Sequence, residues 1–253
     1  MSIRLYRNFQ SLLLIGIAIF LIVLIATGKL IWYIHPRFVP MTVFAVVVLL
    51  LVGLVVFFNG NRKSKEASPE TDEVHEHDHE HEHNQSSWRL AIIFIPLAIG
   101  VLIPAHPLTA SAMAGKGIAS GVPITAQSSS SVQFGQAADT RNILQWNGLF
   151  NSNADPSTYL GQEANVIGFV YHDPNLKDGQ FLVARFALVC CPADAFAVVM
   201  VVDWPQSASL PVNQWVKVKG TVQSTQFNGQ TLPLIQATSV DKVDQPPQTY
   251  LYP

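Results

Sequence analysis

The residues best suited to metal chemistry in this 253-residue chain form one short histidine repeat. Five histidines alternate with carboxylates at every second position: His75, His77, His79, His81 and His83. Neutral imidazole is the commonest protein ligand for zinc, nickel and copper, and carboxylates can complete such a site. The repeat therefore predicts an exchangeable site for Zn²⁺ or another divalent transition metal. A solvated acidic linker whose histidines bind nothing is the alternative interpretation.

A second group of ligand-type residues is the adjacent pair Cys190 and Cys191, followed by Pro192 and Asp194. Neighbouring side chains point to opposite faces of a regular strand, so two such thiols converge only where the strand is interrupted. Pro192 favours a break because it lacks a backbone donor and keeps the preceding residue extended. One interpretation is a pair of soft metal ligands or a redox pair with Asp194 nearby. The other is two small cysteines packed in a core, with Asp194 capping a turn.

The elements that would anchor these groups begin with three apolar stretches. The stretches Phe9–Thr27 and Met41–Phe58 are close to the about 20 residues that cross a bilayer, and only 13% of the whole chain is charged. A third stretch, Leu90–Ala105, is shorter and contains two prolines. The sequence predicts two or three transmembrane helices, the third over 90–105.

The lysines and arginines that flank these stretches predict their orientation. With the N-terminus inside, six positive charges lie on the cytoplasmic side and three lie outside. We therefore expect the N-terminus and the histidine repeat in the cytoplasm and the chain after Ala105 outside it. This orientation depends on the third stretch, because without that crossing the C-terminal part would be cytoplasmic.

Beyond residue 105 the chain changes to a small, polar linker and then to alternating strands. A short helix is predicted from Asp139, as its N-cap, to Phe150. The pair Asn228-Gly229 predicts a hairpin turn. Five strands are expected: Asn165–Tyr171, Phe181–Val189, Ala195–Trp204, Trp215–Val222 and Leu232–Val240. Five short strands favour a small barrel like that of the oligonucleotide/oligosaccharide-binding (OB) fold, with a small β-sandwich as the alternative.

The predicted fold class is thus a membrane-anchored α plus all-β protein. Its segments are a transmembrane hairpin at 1–58, a disordered histidine-rich loop at 59–89, a third transmembrane helix at 90–105, a linker at 106–138 and an OB-like β domain at 139–253.

Composition and motifs exclude several function classes. The sequence contains no phosphate-binding glycine loop, no Gly-x-Ser-x-Gly elbow and no His-Glu-x-x-His helix. Seven lysines and arginines stand against nine acidic residues after residue 105, which argues against nucleic-acid binding. We therefore expect a protein that is not an enzyme.

The chain resembles the DUF1980 family in five features. They are the apolar stretches, the histidine repeat, Gly168-Phe169-Val170, the run from Cys190 to Ala195 and the proline- and tyrosine-rich tail. The double-cysteine run is the most diagnostic part. The resemblance covers most of the chain and implies an OB-like C-terminal part, no established catalytic residues and a separate multi-spanning permease as partner.

Two hypotheses for the function follow from these observations. The first is a non-enzymatic integral membrane accessory subunit of a permease, in contact with membrane lipid and involved in metal-ion handling. The second is a stand-alone extracytoplasmic module that binds thiols or metals and is anchored in the membrane.

Overall fold

The computed structural model describes residues 3–62, 88–103, 106–116, 137–151 and 156–253. These residues fall into two compact units, Met1–Ala105 and His106–Pro253, each described below by itself. The histidine repeat and most of the predicted linker lie outside the described residues.

The N-terminal unit contains helices α1 (Ile3–Ala26), α2 (Val39–Arg62) and α3 (Trp88–Leu102). Two stretches of the described residues, Asn8–Ala26 and Pro36–Phe58, are long and apolar enough to cross a membrane. They match the first two predicted spans. Helix α3 has 15 residues, which extend roughly 22 Å at 1.5 Å per residue, less than the ~30 Å of a hydrocarbon core. A third crossing therefore stays a prediction.

Helices α1 and α2 pack through a small-residue contact. A Cβ added to Gly53 would lie 2.9 Å from Ile15 Cγ1, so a glycine lets the two helices approach closely here. The buried Ser11 hydroxyl donates a hydrogen bond to the Gly53 carbonyl oxygen at 2.7 Å. Large apolar side chains such as Phe44 and Leu51 stay exposed on the outer face of α2. This distribution suits a helix pair surrounded by lipid.

The C-terminal unit is built on five strands. They are β1 (Glu163–Tyr171), β2 (Gln180–Ala187), β3 (Phe196–Asp203), β4 (Trp215–Phe227) and β5 (Gln230–Lys242). Their order is β1-β2-β3-β5-β4, and the sheet closes into a barrel because β4 also pairs with β1. Strands β3 and β5 run parallel, whereas the other neighbouring strands are antiparallel. The prediction of a five-stranded C-terminal domain is confirmed.

The β4–β5 hairpin follows the predicted turn. Asn228 and Gly229 have φ angles of 49° and 80°, the left-handed conformation that a type I′ turn needs at both positions. Strand β4 continues past the predicted end to Phe227, and its register to β5 shifts between Lys219 and Gly220. A Cβ at Gly220 would overlap a backbone oxygen of β5 and lie 2.8 Å from the Cα of Ala237. Glycine is therefore required at this bulge.

Strand β2 is buried on both faces. Phe181 and Val183 point into the barrel core, whereas Leu182 and Phe186 lie in a second cluster on the outside. Helix α4 (Ala110–Lys116) and Tyr250 of the C-terminal tail contribute to that outer cluster. The alternation predicted for this strand is correct, but an outer layer covers the face that alternation alone would leave to solvent.

The prediction that Asp139 caps the following helix is wrong. Helix α5 begins at Ile143, after a separate 3₁₀ turn over Ala138–Thr140. The Asn142 side chain accepts a hydrogen bond from the Gln145 N–H at 3.0 Å, and the Gln145 side chain accepts one from the Asn142 N–H at 2.8 Å. This reciprocal pair is a capping box, which satisfies two backbone donors at the start of the helix.

Helix α5 (Ile143–Asn151) packs onto the barrel core through a polar and an apolar contact. Trp146 is completely buried in the core cluster. Asn147 is also buried and donates from Nδ2 to the carbonyl oxygens of Ile143 and Val199, both at 2.9 Å. The second bond ties the helix to β3, so the position of α5 depends on a donor at residue 147.

Candidate functional site

The two cysteines lie in the loop that joins β2 to β3. Strand β2 ends at Ala187, where the C-terminal tail pairs with it: Leu188 donates to the Leu251 carbonyl oxygen at 3.0 Å, and Leu251 donates to that of Phe186 at 2.9 Å. The loop then enters a 3₁₀ turn, Pro192–Asp194. Strand β2 therefore ends at Ala187 and not at the predicted Val189, and the interruption expected beside Pro192 is present.

The Asp194 carboxylate organises this loop. Its oxygens accept hydrogen bonds from the backbone N–H groups of Val189 at 3.2 Å, Cys190 at 2.7 Å and Cys191 at 3.4 Å. Burial alone would raise the pKa of Asp194, but hydrogen bonds from the Cys190 thiol and these backbone groups lower the pKa below its ordinary value. Asp194 is thus ionised at neutral pH and closes the loop, as the turn-capping interpretation expected.

The loop brings the two thiols together. The Sγ atoms of Cys190 and Cys191 lie 3.7 Å apart, and ligand atoms of both cysteines and Asp194 lie within 4.8 Å of one another. Both cysteines are free, Cys190 is exposed and Cys191 is half-buried. The interpretation that both cysteines pack in a core is therefore wrong.

The thiol of Cys190 is a poor nucleophile in this environment. Hydrogen bonding to the Asp194 carboxylate, and then to Cys191, raises the pKa of Cys190 to about 12. At neutral pH the thiol is protonated, whereas thiol chemistry and metal ligation need the thiolate. The raised pKa thus argues against a reactive free cysteine, and an ion that binds Cys190 must displace its proton.

Arg185 of β2 holds the C-terminal tail, whose Leu251 pairs beside the loop, and the sequence patterns predicted a role at the site for neither of them. The buried Arg185 guanidinium donates to the carbonyl oxygens of Gln248 and Thr249 and lies 5.7 Å from the Trp215 ring centroid. Burial lowers the pKa of Arg185 to about 10, so the group stays charged at neutral pH. A lone arginine in an otherwise apolar strand is the signal that could have identified this contact.

The predicted ligands thus divide into two groups. The structure brings Cys190, Cys191 and Asp194 together in one loop. The five histidines of the repeat lie outside the described residues, and their metal binding stays a prediction.

Apolar helices of membrane-crossing length, followed by a closed β unit with an exposed dithiol loop, define a class of membrane-associated protein with a globular part. Residues 9–119 match the DUF1980 N-terminal domain and residues 140–253 match the DUF1980 C-terminal domain. The chain belongs to the DUF1980 family.

Two relatives share similarity with most of the chain. UPF0703 protein YcgQ of Bacillus subtilis is 23% identical over 281 aligned residues, which cover 96% of this chain and 99% of the relative. A Streptococcus mutans protein named "Putative two-component membrane permease complex subunit" is 24% identical over 196 residues, covering 64% of this chain and 72% of the relative.

Among solved structures, a small single-stranded DNA-binding protein from Streptomyces coelicolor is similar to one third of the chain. It is 20% identical, and the match covers 33% of this chain and 94% of that protein. The TM-score is 0.23, which is too low to establish a shared fold.

Proposed function

We propose that this chain is a non-enzymatic, integral membrane accessory subunit of a permease. The observation that carries the proposal is the two-part architecture, in which two helices suited to a bilayer precede a globular unit with its own core. The name of the streptococcal relative supports it. The partner is a separate multi-spanning permease, and membrane lipid contacts the helix faces that the permease leaves free.

Site-specific photo-crosslinking in the native membrane tests this proposal. A photoreactive amino acid is placed singly at Leu12, Ile19, Phe44 or Leu51, whose side chains are exposed on α1 and α2, and at the fully buried Ala18 as a control. Positions on one side of the pair are expected to crosslink to a single multi-spanning protein, and Ala18 only within the chain. Lipid adducts alone at all four exposed positions would contradict a permease partner.

We also propose that the C-terminal barrel is OB-like and lies outside the cytoplasm. Its support is the closed order β1-β2-β3-β5-β4 with one parallel pair, because OB folds are five-stranded Greek-key barrels. The orientation is tested by single cysteines at Ser64 and Ser129 in a variant that lacks Cys190 and Cys191. A membrane-impermeant thiol reagent is expected to label Ser129→Cys in intact cells and Ser64→Cys only after lysis. Labelling of both from the same side would contradict the orientation.

We further propose that the subunit handles a metal ion. The cluster of Cys190, Cys191 and Asp194 supports it, together with the sequence of the histidine repeat. A peptide covering residues 70–85 is expected to bind Zn²⁺ or Ni²⁺ at about pH 7.5 and more weakly at about pH 5.5, because imidazole is protonated below ~6.5. Calorimetry measures both affinities, and a peptide with asparagine at the five histidine positions is the control. Equal weak binding at both pH values would contradict a metal site in the repeat and support its interpretation as a solvated linker.

The stand-alone thiol- or metal-binding module is the second candidate, and the exposed dithiol loop favours it. The same crosslinking experiment separates the two candidates. Metal binding by the purified chain, without any protein adduct in the membrane, would support the stand-alone module.

A further inference from the structure

We infer that Cys190, Cys191 and Asp194 form an open, three-ligand site for a tetrahedral divalent cation of the zinc class, whose fourth position is left to a donor from outside this chain. The inference rests on the metal handling proposed above and names its ion class, its ligands and its mode of exchange. Three properties of the loop carry it: the distance between the sulfurs, the position of the carboxylate and the exposure of the cluster.

The distance between the sulfurs matches a tetrahedral ion. With metal–sulfur bonds of ~2.3 Å, two thiolates of a tetrahedral zinc site lie about 3.8 Å apart. The Sγ atoms of Cys190 and Cys191 are 3.7 Å apart. A linear two-sulfur complex with the same bond length would need about 4.6 Å, and a disulfide needs about 2.05 Å. The separation of the two sulfurs therefore already matches that of two ligands on a tetrahedral ion.

The carboxylate supplies the third ligand and the support for the other two. Oδ2 of Asp194 accepts the short bond from the Cys190 N–H at 2.7 Å, whereas Oδ1 accepts longer bonds of 3.2 and 3.4 Å from Val189 and Cys191. A carboxylate offers about four acceptor positions. Three backbone N–H groups use three of them, and the fourth, used by the Cys190 thiol, becomes available to an ion that replaces the thiol proton. Hydrogen bonds of this kind orient a ligand and increase metal affinity. Two thiolates and one carboxylate favour zinc-like ions over Ca²⁺ or Mg²⁺.

The number of ligands and the exposure of the cluster together indicate exchange. Structural zinc sites usually have four protein ligands, whereas sites with three keep one position for water or substrate. Cys190 is exposed and Cys191 is half-buried, so that position faces solvent. A donor from a second protein could occupy it while the ion is still held here. The site is thus suited to accept and release an ion rather than to stabilise the fold.

Cobalt(II) is the probe for this site because thiolate ligation and tetrahedral geometry have separate absorption bands. The experiment uses the full chain, reduced and in detergent, with all five histidines of the repeat replaced by asparagine. We expect one Co²⁺ per chain, a sulfur-to-metal charge-transfer band, strong visible bands of a tetrahedral ion, and displacement by Zn²⁺. Added imidazole is expected to shift the visible bands, because it can occupy the open position.

Three variants of that background identify the ligands. Replacement of Cys190 and Cys191 by serine is expected to abolish the charge-transfer band. Asp194→Asn is expected to keep the band and to weaken Co²⁺ binding about tenfold or more. Asp178→Asn, at an exposed turn of the same unit, is the matched control and is expected to bind like the parent.

Several results would overturn the inference. They are no charge-transfer band in the reduced parent, an unchanged band in the double serine variant, or unchanged affinity in Asp194→Asn. Visible bands that imidazole does not shift would overturn the open position. Loss of metal binding alongside an intact crosslink to a permease would overturn this inference alone. Metal binding without any crosslink would instead overturn the accessory-subunit proposal.

Discussion

Replacement of Asp194 by asparagine is expected to make the Cys190 thiol react faster with alkylating agents. The carboxylate is the largest cause that raises the pKa of this thiol from 9.0 to about 12. At pH 7.5 a pKa of about 12 leaves roughly one thiol in 30,000 as the reactive thiolate. Asparagine has nearly the same size but carries no charge, and it keeps one of the two oxygens that accept bonds from the backbone N–H groups of the loop. The thiolate of Cys190 is therefore expected to become easier to form.

The size of the effect follows from two opposing terms. Loss of the whole shift would raise the thiolate fraction about 1000-fold. A less basic thiolate is a weaker nucleophile, and a Brønsted slope of ~0.4–0.5 reduces the gain to about 30- to 60-fold. Hydrogen bonding to Cys191 and burial cause the remainder of the shift. The assay below replaces Cys191 in parent and variant alike, and burial acts on both, so neither adds to the difference between them. The expected acceleration is accordingly between about 5-fold and about 50-fold.

The assay uses the full chain in detergent with Cys191→Ser, so that Cys190 is the only thiol. The rate of iodoacetamide labelling is followed by mass spectrometry between about pH 7 and about pH 10. Asp194→Asn should raise the rate throughout this range and move its rise to lower pH. Asp178→Asn, in an exposed turn, should leave the rate unchanged. An equal or slower rate in Asp194→Asn would refute control of the thiol by the carboxylate.

Three further substitutions test the packing that supports the site. Gly220→Ala is expected to lower the free energy of unfolding by about 1–3 kcal/mol, because the new methyl group would overlap the backbone of β5, which cannot move aside as a side chain can. Thermal unfolding measures this loss. Gly115→Ala, where nothing lies within 4 Å, should show none. Asn147→Asp should destabilise more than Asn147→Ala in chemical denaturation, since it places a buried charge against two carbonyl oxygens. Equal losses of stability in the two variants would contradict the role of Asn147 as a neutral hydrogen-bond donor. Gly53→Leu should lower the melting temperature of the chain in detergent, whereas Val52→Leu, at an exposed position of the same helix, should not.

Local patterns in the sequence were sufficient for the strands and for the apolar helices. Val216, Val218 and Val222 alternate along β4, and all three are buried as the period of two requires. The pair Asn228-Gly229 makes its turn because the needed φ angles are favourable for these residue types. Such features depend on the backbone and on neighbours in the chain, which is why the sequence determines them directly.

The start of α5 shows where local information stops. Asp139 and Asn142 are both good N-cap residues, so propensity alone does not choose between them. The structure uses Asn142, which lets Ile143 and Trp146 reach the barrel core. The parallel pairing of β3 with β5 and the outer layer over β2 depend likewise on contacts between distant segments. Burial gained across the whole unit decides these points.

The candidate site divides in the same way. The sequence by itself determined that two thiols and a carboxylate lie within five residues of one another, beside a proline that interrupts the strand. Only the tertiary structure decided that the thiols converge to 3.7 Å on the surface. That convergence requires the tail residue Leu251 to pair beside the end of β2 and Asp194 to accept hydrogen bonds from the loop. Adjacent side chains on an extended backbone point apart. These ligands meet because hydrogen bonds fold the loop back, and one of those bonds comes from a residue more than 60 positions away in the chain.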